Sequence, residues 1–198
     1  MKKIHYIILL FVGLLFSNCD TNDDDFYKTI YVEGGNNIVR IETQSTYNVG
    51  DYLYVKADLA RYIPEPGQTE TALLDIYKTT GNASQFVFSY VIERKINATD
   101  WEVVTVNDNQ LDIISGNAQN GAYVYAICNY NNTDEYYRYN VGFPLLTAGN
   151  YRLTFGYNSS STNSVEMVSL SAPKNLIVNL NAAVDNLDNN GYYYFTVN

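Results

Sequence analysis

An all-β protein, built as an antiparallel sandwich of two packed sheets, is what this sequence predicts, on three observations. Past residue 18 the chain consists of short runs rich in Tyr, Val, Ile, Thr and Phe, the residue types that fit a pleated, half-buried surface. Clusters of Asn, Gly, Asp and Ser punctuate those runs and supply the backbone conformations that turns require. No stretch beyond residue 18 sustains a helical period, so the crossover helices of a parallel α/β sheet have no source.

In chain order, residues 38–42 form the first expected strand. Residues 51–59 form the clearest one, with Leu53, Val55, Ala57 and Leu59 alternating with Tyr52, Tyr54, Lys56 and Asp58. One aliphatic face against one polar and aromatic face marks a half-buried strand. Pro64-Glu65-Pro66-Gly67 reads as a long loop between adjacent strands, and residues 73–78 as the next strand. After a turn at Gly81-Asn82, residues 85–94 place Phe86, Phe88, Tyr90 and Ile92 on one face and Val87 and Val91 on the other. A strand apolar on both faces belongs in the middle of a sheet.

Further strands are expected at 101–106, 111–114, 122–130, 136–141, 150–157, 165–170, 176–180 and 192–197. Turns fall at Asn107-Asp108-Asn109, Asn120-Gly121 and Asn190-Gly191, and residues 182–188 have room for one turn of helix. The expected core comprises Leu53, Val55, Phe86, Phe88, Val124, Leu153 and Phe155.

Two segments carry a resemblance to immunoglobulin-like modules. Val49-Gly50-Asp51-Tyr52-Leu53-Tyr54-Val55 resembles an early strand opened by a Gly-Asp turn. Thr147-Ala148-Gly149-Asn150-Tyr151-Arg152-Leu153-Thr154-Phe155 resembles the late strand that holds the corner tyrosine. The resemblance implies that Tyr151 is that residue and that its hydroxyl bonds backbone a few residues upstream. The segments lie about 100 residues apart, which two small modules would also explain. No Pro/Gly/Ser-rich linker divides residues 27–198, so one enlarged, immunoglobulin-like domain is expected there.

The first residues have a different character. Lys2 and Lys3 precede an almost wholly apolar run over residues 4–16, followed at once by Ser17, Asn18 and Cys19. A charged start, an apolar stretch and a short cleavage region make an export signal. The run is too short for a transmembrane helix, which needs about 20 residues. Residues 16–19 resemble the lipobox of bacterial lipoproteins, with Ser17 and Cys19 fitting and Phe16 and Asn18 standing where Leu and a small residue are preferred. Asp20-Thr21-Asn22-Asp23-Asp24-Asp25 resembles the acidic export signal of Bacteroidota surface lipoproteins.

The resemblance implies a signal peptide over 1–18, a diacylglyceryl and palmitate anchor on Cys19, and an export signal at Asp23, Asp24 and Asp25. Residues 19–26 then form a flexible acidic tether. The expected location is the outer membrane, lipid-anchored, with the body displayed at the cell surface.

Cleavage before Cys19 removes Lys2 and Lys3 and no acid, taking the formal charge from −9 to −11. Such a surface repels nucleic acid and anionic lipid heads. Cleavage also removes His5, the only histidine, so Ser-His-Asp, Cys-His and histidine-metal chemistry have no residue to work with. With Cys19 lipidated, Cys128 stands alone in an apolar stretch, a buried thiol rather than a nucleophile. No cofactor is expected.

Tyrosine is the outlier, at 20 residues. Most suit cross-strand packing with the ring buried and the hydroxyl wet. The clusters also offer a binding face of rigid amphipathic rings, and Tyr136, Tyr137, Tyr192, Tyr194 and the lone Trp101 are the candidate contacts. Residues 186–191 resemble the first half of a calcium loop, yet Val197 stands where its last ligand belongs. An Asn-Gly turn explains that segment without metal. Glu33, Glu42, Glu93, Glu102, Asp112, Asp134 and Glu135 are scattered carboxylates in no motif. The expected function is therefore a non-catalytic binding or adhesion module for an extracellular protein or glycan. A glycan-capture lipoprotein accompanying a nutrient importer is the alternative, and a carboxylate-based glycoside hydrolase stands third.

Overall fold

A computed structural model describes residues 28–65, 68, 72–156, 163–170 and 176–198. Cys19 and the acidic run to Asp25 lie outside the described residues. The described chain is all-β, with fifteen strands: β1 Lys28–Asn36, β2 Val39–Glu42, β3 Tyr52–Ala60, β4 Tyr62–Pro64, β5 Leu73–Asp75, β6 Gln85–Lys95, β7 Trp101–Val103, β8 Asp112–Ser115, β9 Asn117–Asn120, β10 Val124–Asn131, β11 Tyr136–Pro144, β12 Gly149–Thr154, β13 Ser164–Leu170, β14 Leu176–Ala183 and β15 Tyr192–Val197. A single-turn helix, α1 Ile76–Thr79, follows β5, and a 3-10 turn spans Asp108–Gln110.

Thirteen strands join in one curled sheet, ordered β1-β14-β13-β6-β10-β11-β3-β2 along its longest path. Strand β6 is its hub. The first half pairs with β10 from Gln85 to Tyr90 and with β13 from Gln85 to Val87. Its second half pairs with β12 from Val91 to Arg94 and with β7 from Glu93 to Lys95, while β15 pairs onto the far side of β12. As the sequence predicts for a doubly apolar run, residues Phe86 to Ile92 are buried. Among the described residues pairing is antiparallel except for β1, which runs parallel to β14, and an isolated parallel bridge between Tyr47 and Val197.

One core cluster fills the curl, and all seven expected core residues belong to it. Aromatic rings join its parts: Phe88 meets Tyr139 edge-on at 5.3 Å, and Phe195 stacks on Tyr151 at 5.3 Å. The hydroxyls of Tyr90 and Tyr139 share a buried hydrogen bond of 3.0 Å. Tyr151 donates its hydroxyl to the carbonyl of Thr147 at 2.6 Å, the upstream bond expected of it. Tyr47 makes a similar local bond, donating to Glu42 O at 3.2 Å and accepting from Gln44 N at 3.1 Å.

Local chemistry overrides the expected pattern in several places. The strand expected over 73–78 stops at Asp75, whose carboxylate accepts from Lys78 N at 3.0 Å and starts α1 instead. Pro64 closes β4, which forms a two-stranded ladder with β5. The turn of helix that residues 182–188 have room for is not formed, and β14 extends to Ala183, held beside Ser164 and Asn36. Strands β8 and β9 wedge between β11 and β10, which pair with each other only over Asn129–Asn131. Gly116 forms the wedge's corner at φ +78°, where a Cβ would sit 2.6 Å from Ile127 O and 2.9 Å from Arg138 O.

Candidate ligand-binding face

Strand alternation determines which side chains reach the outer surface of the β7-β6-β12-β15 section. Tyr151, Leu153 and Phe195 point into the core, so Asn150, Arg152, Tyr194 and Thr196 must point out. Register then assembles them in rows. Trp101 opposes Lys95, Arg152 lies between Glu93 and Tyr194, and Asn150 opposes Thr196.

At the centre the Arg152 guanidinium lies 4.4 Å from the Trp101 ring centroid and 4.3 Å from that of Tyr192. Glu93 accepts from its Nε at 2.6 Å, with both side chains largely sheltered. A guanidinium flanked by two rings and neutralised by a carboxylate is a rigid unit, because cation–π attraction and the ion pair act on the same group. Trp101 also meets Tyr194 at 5.8 Å, and Tyr194 is 49% exposed. Beside them opens a shallow cleft of about 300 Å³, lined by Lys95, Trp101, Asn150 and Tyr194 with Thr196.

The face lies far from the start of the described chain. Tyr31, Asn179, Val168 and Val87 form one cross-strand row. β6 runs in the same sense as β1, so Lys28 lies before that row and Lys95 beyond it. At about 3.3 Å per residue the two ends stand roughly 36 Å apart along the strands.

Three of the five candidate tyrosine and tryptophan contacts thus meet: Trp101, Tyr192 and Tyr194. Tyr136 lies elsewhere, on β11 beneath the Arg138 guanidinium at 4.8 Å. Tyr137 corrects the expectation outright. It is fully buried, packs edge-on against Phe86 at 4.7 Å, and donates to Ala83 O at 2.8 Å. Adjacent residues on a strand face opposite ways, so Tyr136 and Tyr137 never shared a face. Sequence reasoning missed Arg152, Glu93 as its partner, and Lys95. The usable signals were the Tyr-Arg-Leu alternation at 151–153 and the end of the apolar run at Glu93-Arg94-Lys95.

The scattered carboxylates each meet a donor. Glu42 pairs with Lys56, Glu93 with Arg152, Glu102 with Arg94, Asp134 with Arg138 and Glu135 with Arg61. Asp112 accepts from the Tyr54 hydroxyl, and Glu33 from Asn181 Nδ2 at 3.2 Å. In the calcium-like loop, Asp188 Oδ1 accepts from the backbone of Asn190 and Tyr192, both at 2.9 Å. Cys128 is buried, and burial pushes its thiol pKa up, away from the thiolate a nucleophile needs. Among the described residues no helix is long and apolar enough to cross a membrane. Comparison with protein-family models, curated proteins and solved structures gives no match to this chain.

Proposed function

We propose that this chain is a non-catalytic outer-membrane lipoprotein. It is anchored through Cys19, exported by Asp23, Asp24 and Asp25, and presents an immunoglobulin-like β-sandwich to an extracellular ligand. The observation that carries the reading is the Trp101–Arg152–Tyr192–Tyr194 face, a part-exposed aromatic surface at the opposite end of β6 from the start of β1. A tether entering at Lys28 would leave that face pointing away from the bilayer. The corner bond from Tyr151 to Thr147 supports the immunoglobulin-like reading. The pairing of each scattered carboxylate with a donor favours binding over hydrolysis, since a glycosidase needs two carboxyls facing one bond. The second reading, glycan capture, is favoured by the amide and hydroxyl of Asn150 and Thr196 beside the Tyr194 ring.

The anchor is tested with labelled palmitate. Wild type should take up label and Cys19→Ala should not. A wild type that stays unlabelled, or a variant that labels equally, removes the anchor. Replacing Asp23, Asp24 and Asp25 by Ala should leave the lipid in place and protect the body from protease added to intact cells.

A further inference from the structure

We infer that the cleft between Trp101 and Tyr194 seats a hexuronate ring, a pyranose that carries a carboxylate, at a site where Lys95 reads the charge. The inference rests on the reading of this face as a ligand surface and adds the chemistry of what it takes. Lys95 is exposed and stands directly across from Trp101 in the β6–β7 register, its Nζ 5.8 Å from the ring centroid. Its neighbours are neutralised: Arg94 by Glu102 at 2.6 Å and Arg152 by Glu93 at 2.6 Å. Lys95 forms no ion pair among the described residues. On a chain of formal charge −9, an unpaired cation at the rim of an aromatic cleft favours an anion there.

The remaining lining supplies what a sugar ring requires. Tyr194 offers a half-exposed ring for the apolar C–H face of a pyranose. Thr196 Oγ1 donates to Asn150 Oδ1 at 2.9 Å, which orients the amide and leaves its N–H groups without a partner among the described residues, ready for a ring hydroxyl. Phosphate would satisfy Lys95 but has no apolar face for Tyr194. A neutral sugar would satisfy Tyr194 and Asn150 but leave Lys95 unused. The volume, about 300 Å³, sits at the lower end of the range of about 300–1,000 Å³ for small-ligand sites and suits one ring rather than a buried chain.

The test is calorimetric titration of the full-length protein in detergent with oligogalacturonate and with its methyl-esterified, uncharged counterpart. The acid form should bind about tenfold more tightly than the ester, the worth of one charge-assisted hydrogen bond. Lys95→Gln should erase that difference while leaving ester binding in place, Lys95→Arg should preserve it, and Tyr194→Ala should weaken both ligands. Equal binding of acid and ester by wild type would overturn the charge reading and leave glycan binding standing. Failure of wild type to bind either ligand, with capture of a protein instead, would overturn both. Undiminished binding by Tyr194→Ala would move the sugar off this face and also refute the inference.

Discussion

Tyr54 shows how one side chain can serve two strands. It crosses from β3 over Gly142 of β11, where a Cβ would come within 2.8 Å of its ring, and its hydroxyl reaches Asp112 of β8. The bond to Asp112, aided by partial burial, pushes the phenol's pKa up to about 12. Burial likewise raises Tyr47, Tyr90, Tyr137 and Tyr139. In each case the folded value lies above the unfolded one of about 10. The associated stability is therefore complete below pH ~10 and is lost as pH rises through the raised values. Absorbance from these five phenolates should accordingly appear together with loss of tertiary circular dichroism. Tyr54→Phe should lower by about one the number of protons released on unfolding above pH ~10, and an unchanged number would count against the bond to Asp112.

Single residues were also where the sequence spoke most clearly. Composition singled out Trp101 and the tyrosines, and period-two alternation named Leu53 and Val55 as core. What it could not supply was the partner of each surface residue, because Arg152 meets Trp101 only through the β12-β6-β7 register.

Among the elements, the wedge of β8 and β9 is the most demanding. Gly116 lies between two carbonyls that belong to ladder strands and cannot swing aside. Gly116→Ala should destabilise the protein by about 2 kcal/mol or more in denaturant titration, combining left-handed strain with a backbone clash. Gly50→Ala serves as the comparison, with φ +97° and open space around it, and should cost about 1–2 kcal/mol. Equal losses would mean that the fork opens freely. The same wedge explains an element the sequence hid. Asn117-Ala118-Gln119-Asn120 carries no β-branched residue and is a strand only because Val124–Ile127 lies alongside. β1 was hidden for a different reason, since its partner β14 comes some 150 residues later and nothing local announces it. α1 was hidden because one capping carboxylate outweighed the apolar alternation before it.

At the scale of the whole molecule, the all-β class was legible because turns and alternation are local, whereas the sharing of β6 between two sets of partners was not. That sharing carries the aromatic face to one end of β6, opposite the start of β1. The parallel pairing of β1 with β14 then acquires a mechanical meaning. A pull on the chain before Lys28, resisted by a ligand held at the Trp101 face, drags β1 lengthwise along β14. Its eight paired positions carry the load together in shear, not one after another as in a zipper. The C-terminus is set the same way, with Val197 paired to Gly149 and Asn198 N bonded to Tyr47 O at 2.9 Å. In single-molecule pulling, handles at Lys28 and Asn198 should require a higher rupture force than handles at Asn37 and Asp185, which peel the same pair open from its other end. Equal forces would show that β1 is not the strand that bears tension. A domain loaded in this direction can be hauled on through the chain before Lys28 without coming undone at the seam between β1 and β14.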